Sequence, residues 1–327
     1  MRIAVTGSIA TDHLMTFPGR IVDQLIPGRL DQVSLSFLAD DLEIRRGGVA
    51  ANISYGLGGL GLDPVLVGAV GSDFGEYEVW LKEHGVDTGA VHVSARRQTA
   101  RFVCLTDQDA NQIAAFYAGA MTEARDIDLG RLDPLPGLVV VAPDDPEAML
   151  RHTARCRALG IPFAADPSQQ LARLDGHQAR TLLTGARLLF TNEYEATLLL
   201  ERTGWSRDDV LHQAGAWITT LGADGVRIDT AGHPALTVPA VAGVRTADPT
   251  GAGDAFRAGF LAALAWDLDS PHAARLGCAL ASLALAEVGS QAYTPDPARL
   301  TAVITETYGT AAAETIAAHL GGAPCRR

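Results

Sequence analysis

Lysine is almost missing from this chain: among 26 lysines and arginines, only Lys82 is a lysine. A P-loop needs a lysine directly after its glycines, and a protein kinase needs one on a phosphate-binding strand. Lys82 precedes Glu83 in a charged stretch and serves neither pattern, nor is it placed for a Schiff base. Any grip on phosphate must come from backbone N–H groups and arginine. Cysteine is also scarce. Cys104, Cys156, Cys278 and Cys325 form no C-x-x-C pair and have no zinc-type spacing to histidine, so neither a disulfide framework nor a metal cage is expected. No uninterrupted apolar run reaches the ~18 residues of a membrane span, and the apolar stretch at residues 3–7 is too short for a leader. A soluble protein in a reducing cytoplasm, with no membrane partner, is expected. Positive charge is short as well. A formal net charge of -12 removes the phosphate neutralisation on which nucleic-acid binding depends, and no nucleic-acid partner is expected.

What is present reads as a globular enzyme-sized chain. The 327 residues, 47% hydrophobic and 20% charged, suffice for one large α/β domain with a small appendage. Short buried-strand patterns at 3–6, 64–68, 138–142, 162–165, 187–191 and 216–220 alternate with helical patterns at 50–60, 76–84, 146–159 and 192–203. That alternation predicts a mostly parallel sheet flanked by helices on both faces. The last quarter reads as helices at 251–266, 271–288, 297–308 and 311–320, and 321–327 as a frayed tail.

Two segments break the alternation. Residues 32–46 mix polar and apolar residues with β-like stretches, and 99–117 read as two strands around the turn-rich 107–111. If Thr106 pairs with Gln112, then Phe102 lies opposite Phe116, because both pairs of numbers have the same sum in an antiparallel ladder. Two phenyl rings would then share a face of the hairpin, as an ordinary core pair or as a stacking platform.

The most specific motif is Asp248-Pro249-Thr250-Gly251-Ala252-Gly253-Asp254, running into a helical pattern through Arg257. Small residues let backbone approach a phosphate, and the first helical N–H groups point at it unpaired along the positive end of the dipole. Such donors can stabilise charge on a transferring phosphoryl group. Asp254 is then placed to act as a general base toward an incoming hydroxyl. A capped helix after a tight turn, with Asp favouring the dipole, is the plain alternative. Gly47-Gly48 enters a second helix carrying Asn52, whose amide suits a hydroxylated ligand or a buried cap network. In that helix Gly56, Gly58 and Gly61 match G-x-G-x-x-G. The context is inverted, because the motif closes a helix and precedes a strand instead of following one, which argues against a dinucleotide fold. Asn192 and Glu195 follow a strand and share a helix face, suiting water-mediated Mg²⁺, although a capping box explains the same residues without a ligand. Thr220, Gly222 and Gly225, then Asp166 with Gln169 and Gln170, occupy further strand ends, and Asp12 lies near Ser8 just past the first strand.

In this order, over nearly the whole chain, these constellations resemble the ribokinase-like (PfkB) family of sugar and nucleoside kinases. The segments around 7–15, 34–38, 116–121, 165–174 and 248–251 are similar to the adenosine kinases of actinobacteria within it. Heavy use of Ala, Gly and Arg agrees with such a GC-rich source. Pro249 stands where many relatives carry Thr.

The resemblance implies one ribokinase-like catalytic domain over 1–327, with a β-sheet lid from segments about 10–46 and 97–120, whose strands join two subunits in relatives of this type. It implies adenosine and ATP as substrates. Asp254 would be the base, Gly251, Ala252, Gly253 and Asp254 the anion hole, and Arg257 and Arg173 would assist the phosphates. Ser8, Asp12, Gly48 and Asn52 would hold the ribose, Phe102 and Phe116 the base, and Gln169 and Gln170 the nucleoside or its loop. Asn192, Thr220, Gly222 and Gly225 would face ATP, with Asn192 and Glu195 organising Mg²⁺ and a K⁺ site near Asp248 and Thr250. A ribose- or fructose-type sugar kinase of the same fold, and a catalytically silent nucleoside-binding protein, remain the alternative readings.

Overall fold

Strands buried on both faces read as unbroken apolar runs. The computed structural model, which describes residues 1–26, 28 and 34–320, gathers such runs at the middle of a nine-stranded sheet. In chain order the strands are β1 (Ile3–Thr6), β2 (Ala10–Thr16), β3 (Asp41–Gly47), β4 (Val65–Val70), β5 (Asp87–Val93), β6 (Ala100–Thr106), β7 (Gln112–Tyr117), β8 (Leu138–Val141), β9 (Phe163–Ala165), β10 (Leu188–Asn192), β11 (Ala216–Thr220), β12 (Val226–Asp229) and β13 (Leu236–Val238). The large sheet has the order β13-β12-β11-β10-β9-β8-β1-β4-β5, parallel from β11 to β5 with β12 and β13 antiparallel at one edge.

The helices are α1 (Val49–Gly59), α2 (Gly75–Glu83), α3 (Pro146–Leu159), α4 (Gly176–Leu183), α5 (Glu193–Thr203), α6 (Arg207–Gln213), α7 (Ala252–Ala265), α8 (Ser270–Leu285), α9 (Pro297–Tyr308) and α10 (Thr310–Leu320). Alternate strand residues divide between two cores. Ile3, Val5, Leu138 and Val140 join α1, α2 and α7 to α10, whereas Ala4, Val139 and Val141 join α3 to α6. The two-faced α/β fold expected from the alternation is therefore the one observed.

The lid strand β2, which only the resemblance covers, and the helices α4 and α6 are absent from the pattern reading, as are the large-sheet strands β5, β12 and β13. The strands lie at or near the sheet's edges, where one flank is open and apolar residues no longer run together; β5, for example, alternates irregularly between exposed and buried positions. The strand expected at 64–68 runs on to Val70, and α8 stops at Leu285 instead of 288. Residues 32 and 33 of the expected β-like stretch, and the expected tail at 321–327, lie outside the described residues.

A second sheet, separate from the first, has the order β3-β2-β6-β7. Phe102 pairs with Phe116 and Thr106 with Gln112, the register expected from the hairpin arithmetic. Asp12 pairs with both Phe102 and Arg45, so Arg45, Asp12, Phe102 and Phe116 form one row on one face of this lid. Glycine 56 lets α1 and α7 meet: a Cβ there would stand 2.6 Å from Ala258 Cβ. Gly56, one of the glycines that imitate a dinucleotide fingerprint, thus serves helix packing, and α1 carries Asn52 beside Asp254.

Candidate active site

The N-terminus of α7 is shaped by Gly251, which caps the helix at φ 79°. A side chain there would need the left-handed region and would set a Cβ 2.5 Å from Ser290 Cβ. With the turn held this way, Ala255 N donates to Gly251 O at 2.9 Å, and Ala252 N makes a long 3.4 Å contact with Pro249 O. The amides of Gly251, Gly253 and Asp254 find no acceptor among the described residues. They converge at the positive end of the helix, an arrangement that favours an anion.

Asp254 occupies the first turn of this helix. Burial pushes its carboxyl up to about 6, against the opposing charge of Arg257 and a hydrogen bond from Asn52, while Glu195 adds to the rise. Asn52 Nδ2 donates to Asp254 Oδ2 at 2.8 Å. Asn52 Oδ1 accepts from Ser290 Oγ at 3.0 Å and from Gln291 Nε2 at 2.9 Å, which fills both lone pairs. Only the second N–H of Asn52 is left for a ligand.

Two cavities meet at this turn. One, of about 450 Å³, is lined by Ser8, Asp12, Gly48 and Asn52, by Phe102 and Phe116 from the lid, by Gln169, Gln170 and Arg173, and by Thr250, Gly251 and Asp254. The other, of about 270 Å³, is lined by Thr220, Gly222 and Gly225, by Pro249, Ala252 and Gly253, and by apolar residues of α7 and α8. The glycine-rich turn is the wall between them, with Gly251 and Asp254 on one side and Ala252 and Gly253 on the other. A phosphoryl group crossing that wall would pass the free amides.

In the first cavity Asp12 is raised from its ordinary carboxyl value by burial, opposed by Arg45 and reinforced by Asp248. Ser8 Oγ accepts from Val49 N at 3.0 Å, leaving its own hydroxyl proton available to a ligand. Gln170 is buried and its Oε1 has no hydrogen-bond partner among the described residues, whereas Gln169 Oε1 accepts from Ser168 Oγ at 2.6 Å.

Three expectations need correction. Arg257 does not face phosphate: its Nη2 donates to Asp166 Oδ1 at 2.7 Å, its Nη1 donates to Gly253 O at 3.0 Å, and it lines neither cavity. Its charge acts on Asp254 from behind. Asn192 is exposed and outside both cavities; it and Glu195 form a reciprocal capping box, with Glu195 N to Asn192 Oδ1 at 2.7 Å and Asn192 N to Glu195 Oε2 at 2.8 Å. Glu195 Oε1, reached only by Ser168 Oγ at 3.3 Å, is the oxygen left over. One such oxygen fits Mg²⁺ that keeps its water and phosphate ligands, not a protein cage. The carboxylate of Asp248 does not fit K⁺: Oδ1 accepts from Thr250 N at 2.9 Å, and Oδ2 accepts from Gly289 N at 3.1 Å with the Arg45 guanidinium 3.4 Å away. That side chain already holds a cation.

Tyr77, Trp80, Ser290 and Gln291 were missed in the sequence. All four bond to Asn52 directly or through one intermediate. The only signal was a pair of polar residues, Ser290-Gln291, in the apolar surroundings of the α8 to α9 connection.

Comparison with known proteins shows the family and the fold. Residues 7–297 match the pfkB family of carbohydrate kinases. A nucleoside kinase of Methanocaldococcus jannaschii is 30% identical over 76% of this chain and 82% of its own length. The structure of Burkholderia thailandensis nucleoside kinase in complex with inosine superposes with a TM-score of 0.82 at 35% identity, over 94% of this chain and 98% of that one. The same enzyme in complex with ADP-inosine gives 0.81. Arabidopsis thaliana ribokinase complexed with ribose and ATP, 18% identical with a TM-score of 0.72, shares the fold. Two cavities joined at a glycine-rich turn, on a ribokinase-like sheet with a small lid, are carried here by a member of the pfkB family of carbohydrate kinases.

Proposed function

We propose that this protein is an adenosine kinase, transferring the γ-phosphoryl group of ATP to the 5′-hydroxyl of adenosine. The observation that carries the reading is the turn between the two cavities, which puts a partly buried carboxylate and unpaired amides at one point of contact. Adenosine occupies the larger cavity, its ribose against Ser8, Asp12, Gly48 and Asn52 and its purine against Phe102 and Phe116. ATP lies along Thr220, Gly222 and Gly225. Mg²⁺ neutralises phosphate charge when bound, and Glu195 would hold it through water. Asp254 takes the proton of the 5′-hydroxyl, that oxygen forms its bond to the γ-phosphorus, the bond to the β,γ-bridging oxygen breaks, and AMP and ADP result. The amides of Gly251, Gly253 and Asp254 stabilise the equatorial oxygens during transfer.

The lid supports the nucleoside assignment, since an aromatic pair suits a purine and is superfluous for ribose or fructose. The nucleoside kinases among the relatives point the same way. Purified protein incubated with ATP and Mg²⁺ and a panel of adenosine, inosine, ribose and fructose tests it. AMP should accumulate fastest; phosphorylation of inosine or of a free sugar in preference to adenosine would replace the adenosine reading, and no phosphorylation of any acceptor would favour a silent nucleoside-binding protein.

A homodimer through the lid belongs to the same proposal. The lid face turned from the cavity carries exposed Leu42, Ile44, Ile113 and Tyr117, a patch that a second copy would cover. Light scattering should report a dimer that Ile44→Glu with Ile113→Glu converts to monomer; a monomeric parent protein would refute this part.

A further inference from the structure

An amide has chemically opposite ends, so Asn52 can hold Asp254 only if its N–H end faces the carboxylate. Local sequence does not decide that orientation; its neighbours do. Trp80 Nε1 donates to Gln291 Oε1 at 3.1 Å. An indole N–H has no acceptor capacity, so the carbonyl end of Gln291 must face Trp80 and its Nε2 must face inward. There Nε2 donates to Asn52 Oδ1 at 2.9 Å and to the Tyr77 hydroxyl oxygen. Tyr77 spends its own proton on Gly47 O at 2.9 Å, which keeps its oxygen an acceptor. Ser290 cannot set the direction by itself, because its single proton is divided between Asn52 Oδ1 at 3.0 Å and Arg46 O at 3.2 Å.

Resting on the kinase reading above, we propose that Trp80 and Gln291 are positioning residues for the base: a one-way hydrogen-bond chain runs from the indole N–H through two amides to Asp254 Oδ2. The chain leaves Asp254 Oδ1 as the oxygen that takes the substrate proton. Asn52 and Gln291 are buried, and Trp80 and Asp254 are partly buried, which makes a lost donor costly to replace.

Asp12 on β2 and Arg173 line the cavity that Asp254 faces. Arg257 on its own helix favours the carboxylate, Glu195 on α5 disfavours it, and Asp166, next to β9, is bound to Arg257. Asn52 arrives from α1, Tyr77 from α2 and Tyr293 from beyond α8. Of these, the Asn52 N–H is the group that the chain from Trp80 sets against the carboxylate, while Tyr77 accepts from the same Gln291 amide.

Gln291→Glu tests it, because an ionised carboxylate offers acceptors alone and turns the Asn52 amide over, setting its carbonyl against Asp254. The acid limb of the kcat profile should move up by about one pH unit, lowering kcat roughly tenfold at its foot, with KM for the acceptor nearly unchanged. Trp80→Phe keeps the ring and removes the donor, and should move the limb in the same direction by less. A readout without turnover separates the two possible failures: the ¹³C titration of the Asp254 carboxyl, assigned by its loss in Asp254→Asn. If the parent protein phosphorylates no acceptor but Trp80→Phe, which adds no charge of its own, raises that midpoint, the kinase reading fails and the chain stands. If both variants leave the midpoint and the acid limb where the parent has them, or change KM alone, the chain is refuted.

Discussion

Arg257 Nη2 lies 2.7 Å from Asp166 Oδ1, enclosed beneath the glycine-rich turn, with Arg257 Nη1 3.0 Å from Gly253 O. A charge in this position supports the turn through its backbone and biases Asp254 without touching a ligand. Both partners are buried, so removing one strands the other. Asp166→Ala should destabilise the protein by about 3–5 kcal/mol in urea unfolding, and Asp166→Leu combined with Arg257→Met should recover much of the loss. A cost near zero for Asp166→Ala would mean that water reaches the pair.

As the proposed base, Asp254 should set the pH dependence. As a base it must be ionised, and its carboxyl is raised by burial to about 6, so kcat should rise through that pH and level off above it. The stability sign is opposite. The folded state keeps the proton to higher pH than the unfolded chain, whose value is near 3.8, so this group lowers stability as pH climbs from about 4 to about 6. Asp254→Asn should therefore melt higher than the parent at pH 7 while kcat falls roughly 10²- to 10⁴-fold. Comparable turnover in the variant would remove Asp254 from its assigned role.

Gly251→Ala meets two obstacles, a φ of 79° and a Cβ 2.5 Å from Ser290 Cβ. The left-handed backbone alone costs about 1–2 kcal/mol. Steady-state kinetics should show kcat reduced more than KM is raised, since the displaced amides act on the transferring group. Adding Ser290→Gly should remove only the Cβ contact, because a Cβ at 251 would still stand 2.8 Å from the Ser290 Cα, so little activity should return.

Phe102 and Phe116 are cross-strand partners facing the larger cavity. If they stack on a purine, each replacement by Ala should cost about 1–3 kcal/mol of nucleoside binding, roughly 5- to 150-fold in Kd by calorimetry. Any turnover of ribose should be unaffected. Equal losses for ribose and adenosine would assign the rings to lid packing instead.

The register of the lid hairpin was legible because an antiparallel ladder is arithmetic once one pair is known, and 107–111 announces its turn. The glycine-rich motif was legible because a phosphate-approaching turn restricts residue type within a few positions. Arg257 was misread for the opposite reason: a guanidinium four residues from a phosphate-type turn looks available until Asp166 is brought against it. Asn192 and Glu195 fit both a cap and a metal site on spacing alone; the hydrogen bonds form the cap and leave one Glu195 oxygen for the proposed metal.

By itself the sequence determined the alternation of strands and helices, the Gly251 turn and the helix that Asp254 opens, because apolar period, positive φ and unpaired first-turn amides depend on residues within a turn of one another. Tertiary structure alone decided which polar groups meet. Asp166 reaches Arg257 across 91 positions, Asn52 reaches Asp254 across 202, and Gln291 reaches Asn52 across 239. Over such separations local pattern carries no information on hydrogen-bond direction; the packing of α1 against α7 and the return of the chain after α8 supply it.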